Sequence, residues 1–512
     1  MKKIIYSIII FLSLFFGTSC LDSMDKISVD PNRPEAVHPR VIFTNLSITT
    51  FGIEFAGIEV YRTAWQWDNR SGGGHFNFMR RNFNNEYKRI AFVYDMNKEA
   101  ERVNDERYKH LGAFFRAYWF FSITRLFGDV PYSEGGMGKT GEILYPKYDN
   151  QEDIIAGLLK ELGDANNALA QYDNTKVDGD IIYGGDIKQW RKLINLYRLK
   201  ILISCSMHET IKGERVADLF AAIINDPAQN PLMEKLSDSA IRDEADNPGN
   251  YTYYNNNNFV STYRISKYIA DFMKDRNDMR LPKYAEVMIK LEGTGADIRN
   301  LNNYKGVYPN PGFATDNNNE SMDKGEQSRI NKAWYLEMIG PSHMMTGYAE
   351  QEFILAEAVL RGWISGDVDT HYKNGIKTAC EFRGVAAADI NNYLSHAKVQ
   401  LTGTDTEKLG KIITEKYLNF FMQGGMEAYY EIRRTGYPDF SEYLTRNIDN
   451  VYNDGNLPLR YMYPQSEIDN NNANVVEAIN RLNKGDDRNS KMWLLQGNDP
   501  LFNPDPFPFR NY

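Results

Sequence analysis

Three cysteines in 512 residues leave little for covalent bracing. There is no disulfide framework and no CxxC zinc pattern. Histidine is also scarce: the seven residues are scattered, and no HExxH pair is among them. No GxSxG marks a hydrolase nucleophile. The run Gly72-Gly73-Gly74 is not followed by the Gly-Lys-Ser/Thr of a phosphate-binding loop. Calcium-loop spacing fails at both Asp316 and Asp449. No metal or cofactor is therefore expected. Positive charge is short too, since a net charge of −9 argues against nucleic acid as a partner. After Cys20 no apolar run approaches the roughly 20 residues needed to cross a bilayer.

One apolar run does exist, at the start. Lys2 and Lys3 precede a greasy stretch from Ile4 to Phe16, then small Gly17, Thr18 and Ser19, then Cys20. That order is the layout of a secretory signal. A cysteine directly behind the small residues resembles a lipobox, although Gly17 stands where a leucine is usual. Residues 1–19 are expected to be a signal peptide, with Cys20 lipidated. Residues 20–40, with Pro31, Pro34 and Pro39, read as a tether. Asp22 and Asp25 resemble an acidic export signal to the outer face of the cell. Cys205 and Cys380 both fall in apolar helical patterns, which favours buried free thiols over a bond between them.

What the chain has in plenty is aromatic rings, at 13% of residues, and asparagine, as in Asn255 to Asn258 and Asn317 to Asn319. Rings among amides suit an uncharged polar ligand, because rings stack on sugar C–H faces and amides bond hydroxyls. Most of those rings are still expected to fill helix interfaces.

Helical spacing recurs in four pairs: 84–127, 150–207, 348–382 and 407–433. The first pair stops at Gly128-Asp129-Val130-Pro131, where proline forbids continuation. The third, AEAVLRGWISGDVDTHYKNGIKTA, has small residues where two helices must approach, and resembles a tetratricopeptide pair. Residues 40–55 and 264–275 also read as helical, and Glu286 to Ile289 as a strand. Between the second and third pairs lies an insertion with a long polar segment, Lys305 to Lys332. A loop of that length is more often functional than idle. Paired helices cannot bury their apolar faces singly. The expected fold is therefore mainly α, with tetratricopeptide-like helix pairs in a single globular domain, residues 41–512, and a loop-rich ligand-binding half.

Several stretches together resemble the SusD/RagB outer-membrane lipoproteins of Bacteroidetes, in the SusD-like nutrient-binding branch. They are VDPNRPEAV (29–37), FGDVPYSEGG (127–136) with PKYDNQEDI (146–154), and IYGGDIKQWRKLINLYRLKI (182–201). YAEQEFILAEAVLRGW (348–363), GMEAYYEIRRTGYP (425–438) and LPLRYMYPQSE (457–467) follow in the family's order. The resemblance implies a non-enzymatic surface lipoprotein on the outer membrane, facing the cell exterior. It implies a TonB-dependent β-barrel transporter, SusC-like, as partner. The ligand it implies is an oligosaccharide, or in some members a peptide.

The first ligand-binding candidates are Trp65 and Trp67 with Asp68, Asn69 and Arg70. Each tryptophan fits a core nearly as well. A second group is Tyr253, Tyr254 and Asn256, in a loop without helical burial to explain its rings. A third, Tyr304, Tyr308, Arg329 and Trp334, brackets the long polar segment. Trp190, Trp363 and Trp493 read as packing. Two competitors stay open. A surface glycoside hydrolase needs two carboxylates about 5 to 10 Å apart across a sugar. Glu350, Glu352 and Glu357 are read as salt-bridged or solvent-facing, and Asp129 and Glu134 as turn and cap acceptors. The other competitor is a helical scaffold that binds only proteins.

Overall fold

The computed structural model describes residues 36–52, 66–68, 80–140, 143–243, 253–307, 323–440 and 457–502. The signal peptide, Cys20 and most of the tether lie outside them. Helix α1 spans Pro39–Phe51. The four pairs follow as α2 (Asn84–Val103) with α3 (Glu106–Phe127), and α4 (Gln151–Leu169) with α5 (Ile187–Ser204). After α6 (Lys267–Asp275) come α7 (Tyr348–Leu360) with α8 (Val368–Phe382), then α9 (Asp405–Asn419) with α10 (Glu427–Thr435). The fold is mainly α, as the spacing predicts. Among the described residues no helix is long and apolar enough to cross a membrane.

The helix ends obey local chemistry. The carboxylates of Asp105 and Asp186 accept from the Arg107 and Gln189 amides, at 3.2 and 3.1 Å. Each satisfies an amide that the first turn leaves without a partner. Thr404 and Glu407 close a reciprocal capping box on α9. Helix α10 stops at Gly436, whose φ of +78° is a conformation other residues resist.

The core runs between the pairs. Trp190 of α5 meets Phe43 and Phe51 of α1 and Phe114 and Phe115 of α3, with ring centroids 5.4 to 5.8 Å apart. In the third pair Gly375 lies against Phe353, where a Cβ would come within 2.6 Å of the ring. The close approach read from the small residues is therefore real. Cys205 and Cys380 are free and buried. Burial pushes both thiols well above their ordinary pKa.

Charge is buried alongside the apolar core. Glu427 takes Arg125 from α3 and Lys200 from α5, and Lys200 also reaches Glu350 of α7 at 3.1 Å. Arg434 of α10 binds Glu357 of α7 and its own neighbour Glu431, which also holds Lys416 of α9. Burial opposes the Glu427 and Glu431 carboxylates. Arg125 and Lys200 outweigh it at Glu427, as Arg434 and Lys416 do at Glu431, and hold both at about 2. Exchanging such pairs for apolar packing is often neutral, whereas removing one partner is costly. They therefore specify which helices meet more than they add net stability.

Strands are few and short. β1 (Trp67–Asp68), β2 (Arg264–Ile265), β3 (Ala285–Met288) and β4 (Ser328–Ile330) make one antiparallel sheet in the order β1-β2-β4-β3. The stretch 264–275, expected to be one helix, is divided. Arg264 and Ile265 are strand, and the Ser266 hydroxyl accepts from the Ile269 amide to start α6.

Candidate functional site

That small sheet gathers strands from the first and third candidate groups. Trp67 pairs with Ile265 and Asp68 with Arg264, while Arg264 also faces Arg329 across β4. The polar segment's far end and the early aromatic stretch thus flank the same strand β2, though some 260 residues apart in sequence. Gln66 fixes the approach. It is fully buried; its side-chain amide donates to the Phe420 carbonyl at 3.1 Å and accepts from the Met422 amide at 2.9 Å. Its own carbonyl takes the Ser266 amide at 3.1 Å. One glutamine therefore ties the aromatic stretch to the turn after α9 and to the start of α6. Sequence reasoning passed over it, since a lone glutamine carries no pattern.

The loop 253–256 is held beside the sheet by the Asn255 amide, which donates to the Tyr335 carbonyl at 2.9 Å. Asn256 is a cap: its side chain accepts from the Asn258 amide and starts the short helix Asn257–Ser261. Phe259 of that helix stacks on Tyr335 at 5.3 Å. Tyr254 is half-buried at the edge of this cluster. Arg329 is spoken for, with both oxygens of Glu292 on one nitrogen and the Val260 carbonyl on another.

Three of the rings expected to lie open are core. Tyr253, Tyr304 and Trp334 are each only 2% exposed. The Tyr304 hydroxyl donates to Ile298, and burial raises its pKa. The Arg383 guanidinium lies 5.2 Å over the Trp334 ring. These side chains pack beneath the loops instead of facing outward. Trp65, Asn69, Arg70 and Tyr308 lie outside the described residues.

Arg264 is the unexpected member. It is 4% exposed and donates only to the Tyr263 and Ser261 carbonyls, and its Nε has no partner. No carboxylate pairs with it among the described residues. Burial, with Arg329 nearby, pulls its pKa down to about 10. Of the two carbonyls it caps, that of Ser261 ends the short helix, where a cation is favoured. On the surface nearby, Val260, Leu336, Met338 and Ile339 are 41 to 53% exposed, large apolar side chains that the pattern of the sequence does not announce.

The five carboxylates singled out in the sequence as possible hydrolytic groups are occupied. Glu350 and Glu357 are in the buried ion network, and Glu352 accepts from His371 and Asn374 at 3.0 and 3.1 Å. Asp129 accepts from the Gln151 amide and pairs with Arg481, and Glu134 accepts from the Lys147 amide. Among the described residues no group of three metal-ligating side chains comes together.

A family model described as SusD-like, starch-binding and associating with the outer membrane, matches residues 66–464. Solved structures match over nearly the whole fold. A SusD homologue from Bacteroides fragilis is 34% identical, covering 90% of this chain and all of its own, with a TM-score of 0.80. A Bacteroides vulgatus protein, titled for the outer membrane and for nutrient binding, is 32% identical with the same coverage and a TM-score of 0.81. A chitin-binding protein is 25% identical over 89% of this chain and 99% of its own, with a TM-score of 0.70. No curated protein matches the chain.

Proposed function

The chain belongs to the SusD-like family, and from that footing we propose that it is a surface lipoprotein that catches an oligosaccharide and passes it to a TonB-dependent β-barrel transporter. Residues 1–19 are removed on export, Cys20 carries the lipid, 20–40 form the tether and 41–512 the binding body. Lipid on Cys20 holds the body at the outer membrane, facing the exterior. The SusC-like barrel is its partner there.

One observation supports the binding reading: strands from the early aromatic stretch and from the far end of the polar insertion lie in one sheet, on either side of β2. Recognition is by Trp65 and Trp67 stacking on sugar faces, with Asp68, Asn69, Arg70, Tyr254 and Tyr308 supplying hydrogen bonds. The family's starch-binding description and the chitin-binding relative both favour a glycan over a peptide. Catalysis is not part of this reading, because the carboxylates nearest a family motif hold ion pairs inside the protein. The test is titration of the purified body with a panel of oligosaccharides and peptides, products being assayed in parallel. Saturable glycan binding without product is expected. Peptide binding alone, or turnover by a contaminant-free sample, overturns it.

A further inference from the structure

We propose that the cavity enclosed by α6, α8 and α9 is a second saccharide site, distinct from the sheet. Its place stands on geometry alone; its ligand class rests in part on the glycan reading above. The cavity measures about 910 Å³, at the upper end of the ~300–1,000 Å³ usual for ligand pockets. It takes residues from α6, from Tyr372 of α8, from the strap 398–403, from α9 and from the turn at Tyr437.

Two rings suit a sugar. Phe272 and Tyr437 are half-buried and line the cavity. Tyr437 rests on α9 at Gly410, where a Cβ would come within 2.8 Å of the ring. A glycine inside a helix costs about 1 kcal/mol against alanine, so this ring position is built at some expense. The Tyr437 hydroxyl makes no hydrogen bond to any described residue, which leaves a donor and an acceptor for a ligand hydroxyl. The Arg276 guanidinium lies 3.7 Å over one face of Phe272, so a sugar can use only the opposite face of that ring.

The charges decide the class. Asp275 is shared by Arg276 and Lys398, and Asp271 by Lys267 and Lys274. Glu407 closes the capping box of α9, and Glu415 is bound by Arg280 and Tyr393. Lys411 donates to the Gln400 carbonyl and to both oxygens of Thr402, so its three protons are used. Asp271, Asp275 and Glu415 are thus matched by cations, and Glu407 and Lys411 are engaged by neutral partners, so these wall charges are already in use. The wall offers rings and fixed donors and acceptors, which a neutral polyhydroxylated molecule can use.

Helix α6 joins this cavity to the first site. It starts at Ser266, beside β2, and ends at Asp275 on the cavity wall. At 1.5 Å per residue its nine residues span roughly 14 Å, the scale of a few sugar units.

The experiment is calorimetric titration of the lipid-free full body with neutral oligosaccharides of three to six units. Wild type is expected to show two binding events per chain. Tyr437→Ala removes the ring, and Thr402→Trp, at an exposed rim position, blocks the mouth without disturbing the core. Each should abolish one event or weaken it at least tenfold, while Trp67→Ala affects the other. If both cavity variants titrate as wild type, the second site is wrong and the glycan reading stands. If wild type binds no oligosaccharide at all, the glycan reading fails and the ligand class assigned to the cavity fails with it. Should Tyr437→Ala not fold, Thr402→Trp alone decides.

Discussion

Arg125 grips Glu427 with both terminal guanidinium nitrogens, at 2.7 and 2.9 Å, across 302 residues of chain and in a buried setting. Lys200 reaches the same carboxylate at 3.1 Å. One glutamate thus joins the first, second and fourth helix pairs. Glu427→Gln keeps the shape but leaves buried Arg125 without a counter-charge and Lys200 with Glu350 alone. A loss of about 3–5 kcal/mol is expected, read as the shift in a urea unfolding curve. Replacing Arg125, Lys200, Glu350 and Glu427 together with apolar residues should recover most of it, because Glu350 is otherwise left buried without Lys200. A single variant as stable as wild type would show that the network contributes nothing.

Acid should unfold the protein in two stages. His343 is wholly buried, and burial pulls its pKa down to about 4 from an ordinary 6.5. The folded state therefore favours neutral imidazole. Its contribution is complete above about pH 6.5 and is lost as pH falls toward 4, on the order of 3 kcal/mol. Glu427 and Glu431 are held at about 2 against an ordinary 4.5. Their contribution is complete above about pH 4.5 and is lost as pH falls toward 2. Stability measured against pH should decline from 6.5 and steepen below 4.5. His343→Gln should flatten the upper stage only; an unchanged slope there assigns it to another group.

The contrast between legible and illegible parts follows from period. Helix pairs were readable because Ile155, Leu158, Leu162, Ala165 and Leu169 recur at helical spacing and are all buried in α4. The end of the first pair was readable because Gly128 and Pro131 stop it. The sheet was not. Strands of two to four residues are too short to show alternation, so Arg264 and Ile265 merged into the helix behind them. Nor does a ring in a loop declare its burial: Tyr253, Tyr304 and Trp334 have no helical partners at fixed spacing, yet other loops cover them. Spacing likewise does not show that the early aromatic stretch and the far end of the polar insertion share one sheet, on either side of β2.

That burial separates two kinds of aromatic variant. Trp334→Ala and Tyr253→Ala should cost about 3–5 kcal/mol of stability. Any loss of ligand binding in them should track the unfolded fraction. Thermal unfolding beside titration tells these apart from a contact residue. A folded Trp334→Ala that binds ligand poorly would return this ring to the site.

Gln66 offers a sharper test of how the site is positioned. Its amide satisfies the Phe420 carbonyl and the Met422 amide in a buried setting. Gln66→Leu fills the space but leaves both backbone groups without partners, at about 1–3 kcal/mol each. The strand Trp67–Asp68 should loosen from the turn after α9 while the helix pairs persist. Hydrogen exchange ought to rise at residues 66–68 and 264–266, with the amides of α3 and α5 protected as before. Glycan affinity should fall together with that local protection, because Trp67 is then held less firmly. If exchange rises across all the helices, Gln66 supports the whole fold; if affinity is unchanged while 66–68 exchange freely, the aromatic stretch is not where the ligand binds.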